Sequence, residues 1–201
     1  MMVRRLTAAA AGAVLVLAGC SAEPETEPAG TGAAASSEAA AAGVEARLAA
    51  YDLDGAPADE IVDGLDRLAV AERPADLMAS VRVDQLVVSD GQEEVAMDLP
   101  EDRFYLSVAP FVDQTHECFY HSLTTCTGEL GGEDVEVRIV DDAGKVLVDE
   151  KTTTYDNGFV GYWLPRDIDG TLTVSYDGRI GEVDFSTRED SPTCVTTLQV
   201  V

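Results

Sequence analysis

Two hydrophobic periods divide the chain. Between residues 44 and 77, apolar side chains recur every three or four positions. VEARLAAYDLDG (44–55) sets Val44, Leu48 and Tyr51 on one side of a helix, and APADEIVDGLDRLAVAERPADL (56–77) does the same with Ile61, Leu65, Leu68 and Ala69. Acids in the first turn of the second segment suit a helix start, and Arg73-Pro74 predicts its end. From about Val81 the period falls to two. VRVDQLVVSDGQEEVAMDLP predicts two strands joined at Ser89-Asp90-Gly91. FYLSVAPFV (104–112) predicts another, with the apolar pattern continuing through Phe119 and Tyr120.

After His116 the turn signals become regular. Gly131-Gly132, Asp141-Asp142-Ala143-Gly144, Asp156-Asn157-Gly158, Asp169-Gly170 and Asp177-Gly178 separate expected strands at 134–140, 145–151, 159–163, 171–176 and 180–186, with a last one at 195–200. Short strands at this spacing predict an antiparallel sandwich or barrel. The expected fold is α+β, mainly β: a helical N-terminal portion with a β-hairpin over 44–99, then an antiparallel β-sandwich-like domain over 100–201.

The first 43 residues follow neither period. MMVRR is basic, LTAAAAGAVLV is apolar, and Leu17-Ala18-Gly19-Cys20 places small residues before a cysteine. This is the order of a secretory signal, with an apolar run shorter than the ~20 residues of a membrane span. Its ending resembles the bacterial lipobox, which implies cleavage after residue 19 and lipidation of Cys20. Residues 20–43, rich in Ala, Glu, Ser, Gly and Pro, contain no large apolar side chain and read as a disordered tether. The chain is then expected to be exported and lipid-anchored to the outer face of the bacterial membrane.

Charge narrows the partners. The chain carries −25 at pH 7, and loss of Arg4 and Arg5 with the signal takes this to −27. Such acidity excludes nucleic acid as a partner, since phosphates need basic surface, and disfavours adsorption to anionic lipid, so membrane attachment falls to the lipid on Cys20. Asp52-Leu53-Asp54-Gly55 and Asp167-Ile168-Asp169-Gly170 lack EF-hand spacing and read as turns. No phosphate loop, HExxH or nucleophile elbow occurs.

The remaining chemistry gathers in HECFYHSLTTC (116–126), which holds both histidines and two of the four cysteines. With Cys20 lipidated, Cys118, Cys126 and Cys194 are left. Three cannot all pair within one chain. Either a Cys118–Cys126 or Cys126–Cys194 disulfide leaves a free thiol, or a bridge forms between chains, or all three are ligands. If 116–120 is a strand, alternation puts His116 and Cys118 on one face and His121 on the other. His116 is then the better ligand, and His121 is available only if the strand breaks near Tyr120. Cys194, at the entrance to the last strand, lies where loops at one end of a sandwich meet. Thiolates with imidazole suit Cu(I) and Zn(II). A blue-copper site is disfavoured because no methionine follows Met97. A thiol pair that reduces a bound metal and closes as a disulfide also remains open.

SVAPFVDQTHECFYHSLTTCTGELGG, DDAGKVLVDEKTTTYDNGFVGYWLPRDIDGT and DSPTCVTTLQ together resemble the CueP family of exported bacterial copper-binding proteins associated with copper resistance. The family's three cysteines and flanking histidines fall on Cys118, Cys126, Cys194, His116 and His121. The resemblance implies capture of copper, as Cu(I), with a copper-accepting protein and a homodimer as further expectations. The lipobox departs from the family's soluble periplasmic members. Two alternatives stand beside this reading: a thiol-dependent Cu(II) or Fe(III) reductase, and a disulfide-stapled interaction module without catalysis.

Overall fold

The structure is a computed structural model that describes residues 31–201. The signal segment and Cys20, with its expected lipidation, lie outside the described residues.

Helix α1, Thr31–Leu48, begins inside the tract whose composition suggested a tether. Alanine is the strongest helix former, and the helix is anchored where Ala40, Val44 and Leu48, four residues apart, become buried. Helix α2 spans Ala58–Asp66. Its start matches the sequence: Pro57 precedes it, and Asp59 and Glu60 occupy the first turn. It buries Ile61, Val62 and Leu65 but stops at Asp66, short of the expected end at Arg73.

Eleven strands follow: β1 Met78–Val81, β2 Gln85–Ser89, β3 Glu94–Asp98, β4 Arg103–Val108, β5 His121–Ser122, β6 Asp134–Asp141, β7 Val146–Thr153, β8 Val160–Pro165, β9 Asp169–Tyr176, β10 Arg179–Ser186 and β11 Cys194–Val195. They form three sheets, ordered β3-β2-β1-β5, β10-β9-β6-β7 and β11-β4-β8. Every strand pair is antiparallel except β11 with β4. The protein is mainly β with short N-terminal helices and a sandwich-like arrangement of sheets, as the two periods predicted. The β9–β10 turn shows why the punctuation was legible. Asp177 and Gly178 both take positive φ, 47° and 78°, the backbone of the tightest hairpin turns.

One apolar cluster packs Phe104, Leu106 and Val108 of β4 against Val137 and Ile139 of β6 and Leu172 and Val174 of β9. A second joins α1 and α2 to the first sheet through Val44, Leu48, Ile61, Leu65, Leu86 and Val88. Tyr105 and Leu123 belong to this second cluster, and β5 pairs with β1. The first sheet therefore crosses the boundary drawn at residues 99 and 100.

Three local expectations change. The first of the two strands expected from Val81 divides: β1 ends at Val81 and β2 begins at Gln85, with the apolar phase slipping by one residue at Asp84-Gln85. β4 ends at Val108, because Pro110 has no N–H for a ladder; the Phe111 amide donates to the Leu198 carbonyl, and those of Val112, Asp113 and Gln114 turn to the Glu129 carboxylate. At the C-terminus only Cys194–Val195 is strand, followed by an isolated bridge between Phe111 and Gln199.

Candidate metal centre

The segment 116–126 leaves the sheet, turns, and re-enters it. Residues 116–118 are irregular and the chain bends at Phe119–Tyr120 before β5 starts at His121. The strand parity expected for His116 and Cys118 does not apply, and the break near Tyr120 that would free His121 is present. β5 is held on both sides. Val81 of β1 faces His121, the His121 N–H donates to Thr193 Oγ1 at 3.0 Å, and that hydroxyl donates to the Val81 carbonyl at 2.7 Å. The Thr193 and Cys194 amides both donate to the Phe119 carbonyl, at 2.9 and 3.2 Å. This brings the far end of the chain against the bend.

All five sequence-predicted residues meet here. Ligand atoms of His116, Cys118 and Cys126 lie within 4.8 Å of one another, and so do those of His121, Cys126 and Cys194. Cys126 is common to both groups. The first group is half-buried throughout; in the second, His121 and Cys194 are buried. Cys118 and Cys194 are joined as a disulfide with Cα atoms 5.7 Å apart, and Cys126 is free. Neither pairing weighed from the sequence is the one formed, because the Phe119 carbonyl docks Cys194 beside Cys118 across 76 residues of chain. The Cys126 sulfur is 3.6 Å from that of Cys118. Phe159 and Ala109 supply an apolar wall, and the Phe159 ring lies 4.5 Å from the His121 ring and 6.3 Å from that of His116. His116 Nε2 is buried and bonded to nothing, an orphan that fits a site awaiting a cation.

The family model described as periplasmic copper-binding protein CueP matches residues 60–199. The chain belongs to the CueP family of periplasmic copper-binding proteins. A solved structure described as "Crystal Structure of S.CueP" is 40% identical to it, covers 78% of this chain and 96% of its own, and superposes with a TM-score of 0.73. No curated protein matches the chain.

The CueP match begins inside α2, and α2 supplies a residue that the sequence did not single out. Asp66 closes that helix and is fully buried. A carboxylate at a helix C-terminus faces unfavourable dipole charge, so it needs donors. It accepts from the Tyr105 hydroxyl at 2.6 Å and from Asn157 Nδ2 at 2.9 Å, and bonds His121 Nε2 at 2.8 Å. Asn157 is itself fixed, its Oδ1 accepting the Phe159 N–H at 2.9 Å. The other side of the ring faces sulfur, with His121 Nδ1 3.8 Å from Cys194 Sγ.

Burial alone would lower the His121 pKa. The Asp66 charge and hydrogen bond, with a smaller contribution from Cys126, outweigh it and raise the ring to about 9. Burial would raise Asp66, yet the His121 charge and the three hydrogen bonds hold it below its ordinary value. For Cys126, burial again works toward the neutral form. The imidazole, the Ser122 N–H at 3.4 Å from the sulfur, and the Arg73 charge together leave the thiol below its ordinary value. Arg73 also donates from Nη1 to the Cys126 carbonyl at 2.6 Å. The cluster is a carboxylate–imidazolium pair beside a thiol biased toward thiolate, a setting for soft-metal binding and for thiol–disulfide exchange.

Proposed function

We propose that this chain is a membrane-tethered extracytoplasmic protein that sequesters Cu(I) through Cys118, Cys126 and Cys194 with His121 and His116, and hands it to a copper-accepting protein. The observation that carries the reading is the pair of overlapping His/Cys groups around Cys126. Two or three thiolates with an imidazole form a soft donor set, suited to Cu(I) and poorly suited to Mg, Ca or Mn. The tether would be the lipid on Cys20.

The disulfide bears directly on capacity. Each group contains one of the two bridged cysteines, Cys118 in the first and Cys194 in the second. One bond therefore takes a thiolate from both groups, and reduction returns both. Copper capture belongs to the reduced protein. The disulfide also favours a second reading, reduction of Cu(II). Two Cu(II) ions would each take one electron from the Cys118 and Cys194 thiolates, leaving two Cu(I) and the disulfide, with Cys126 as the ligand that persists.

The test uses the full chain carrying Cys20→Ser, so that the thiols counted are the three of the site. The reduced protein is titrated with Cu(I) against a competing chelator, and free thiols are counted before and after Cu(II) is added. Tight Cu(I) binding that is lost in Cys126→Ser supports sequestration, and Zn(II) in the same titration must compete poorly. Loss of two thiols matched by two Cu(II) consumed supports reduction. Unreactive thiols and no Cu(I) binding would sink both readings.

A further inference from the structure

Asp66 lies on α2, outside the thiol segment, and no metal donor of the site requires it there. It is fully buried, as is His121. A buried ion pair gives weak stabilisation at best compared with apolar side chains of similar volume. Core packing therefore does not explain an acid at the C-terminus of α2, surrounded by Ile61, Val62 and Leu65 on its own helix. Its hydrogen bonds do. Oδ1 contacts His121 Nε2 and Asn157 Nδ2, while Oδ2 accepts from Tyr105. Both oxygens are filled by donors from three separate elements, and Asn157 is held in turn by the Phe159 amide.

We infer that Asp66 is the positioning residue of the copper site: its carboxylate holds the Nε2–H of His121, so that Nδ1 is the ring nitrogen presented to the sulfurs of Cys126 and Cys194. The inference rests on the copper reading above and adds to it the ligating atom and the residue that selects it. The two nitrogens of an imidazole are chosen by what the other one bonds. Here the carboxylate occupies Nε2 at 2.8 Å and Nδ1 lies 3.8 Å from Cys194 Sγ. Turning the ring to present Nε2 would take from the buried carboxylate the one donor that Tyr105 and Asn157 do not supply, and with it the charge-assisted hydrogen bond at 2.8 Å. The backbone of His121 is pinned independently by Thr193 and β1, so Asp66 acts on the ring and not on the strand.

Two measurements on the full chain test this. In the first, long-range 1H–15N correlation spectra of the Cu(I)-loaded protein, and of the reduced metal-free protein at a pH where the ring is neutral, read which nitrogen of His121 carries the proton. A proton on Nε2 in both is expected; a proton on Nδ1, or Cu(I) on Nε2, overturns the inference. The second is a double-mutant cycle on Cu(I) affinity. Asp66→Asn should weaken binding by about 10–100-fold. In a His121→Ala background it should change the affinity by no more than about 2-fold, since the ring it acts through is gone. An equal loss in both backgrounds would make Asp66 a purely structural residue, and no loss in either would remove its role. Should Asp66→Asn fail to fold, the spectra of the native chain decide alone. If the native chain binds no Cu(I), the copper reading fails by itself, and the metal-free spectrum still shows whether Asp66 fixes the ring.

Discussion

Raising the pH should destabilise the protein through one buried pair. An unfolded histidine titrates near its ordinary 6.5, and His121 in the native protein near 9. The burial that opposes its charge is overcome by Asp66. Below pH 6.5 both states hold the proton and the contribution of the pair is complete. Between 6.5 and 9 the unfolded chain gives up its proton while the native one keeps it. Stability is then lost at about 1.4 kcal/mol per pH unit, roughly 3 kcal/mol in all, and the curve flattens above 9. Cys126 works in the opposite direction, because its lowered pKa makes the native thiol ionise before the unfolded one. Cys126→Ser, made in the Cys20→Ser chain, removes that contribution, together with its smaller support of the imidazolium, and leaves no free thiol to exchange at alkaline pH. The assay is urea unfolding of this variant at pH 6.0 and 9.5, beside an NMR titration of His121 in the native protein. Stability should fall by about 2–3 kcal/mol across the interval. A curve that is flat or rising, or a His121 that titrates at or below 6.5, would refute the reasoning.

Three further outcomes follow from the same contacts. A Cβ at Gly161 would collide with the Tyr105 hydroxyl, so Gly161→Ala should cost about 1–3 kcal/mol in thermal or urea unfolding and shift the His121 signals as Tyr105 is pushed off Asp66. Iodoacetamide added without reductant should label the Cys126 peptide and leave those of Cys118 and Cys194 unmodified until the disulfide is reduced, as peptide mass spectrometry would show. Reducing that disulfide, which closes a loop of 76 residues, should lower stability by about 4 kcal/mol, and Cu(I) should restore part of the loss in a concentration-dependent way.

The sheets were legible where turn chemistry and alternation agreed. β6 to β10 are bounded by Asp-Gly and Gly-containing turns, and their positions differ from the expected ones by a residue or two. They became illegible where the only mark of a turn was a one-residue slip of the apolar phase, as at Asp84-Gln85, or where apolar residues served a loop, as in 116–120. The metal donors were legible because histidine and cysteine are rare in this chain, with two and four copies. Asp66 was not, being one of 38 acids with no local mark of its burial. Asn157 read only as a turn residue, and Tyr105 only as one position of a strand. Their roles exist because α2, β4 and the turn before β8 converge on His121, and convergence across 91 residues leaves no trace in a local pattern. The Cys118–Cys194 pairing is of the same kind.

The charge of the buried pair also bears on which ion the proposed site holds. In the metal-free protein, His121 is an imidazolium at neutral pH and Asp66 is ionised, so the two buried charges cancel. A ligand must take the proton's place on Nδ1. Cu(I) brings one positive charge where one proton leaves, and Asp66 compensates it as before. Zn(II) or Cu(II) brings two, and the excess must be balanced by a further thiolate or left in surroundings formed by Phe159, Ala109 and the sulfurs, where an uncompensated charge is expensive. In the reduced protein, Cys118, Cys126 and Cys194 can each supply that thiolate; in the bridged form Cys126 alone can. On the proposed reading, Asp66 alone compensates a monovalent ion, and each thiolate that joins as a ligand adds a negative charge that moves the balance toward a divalent one.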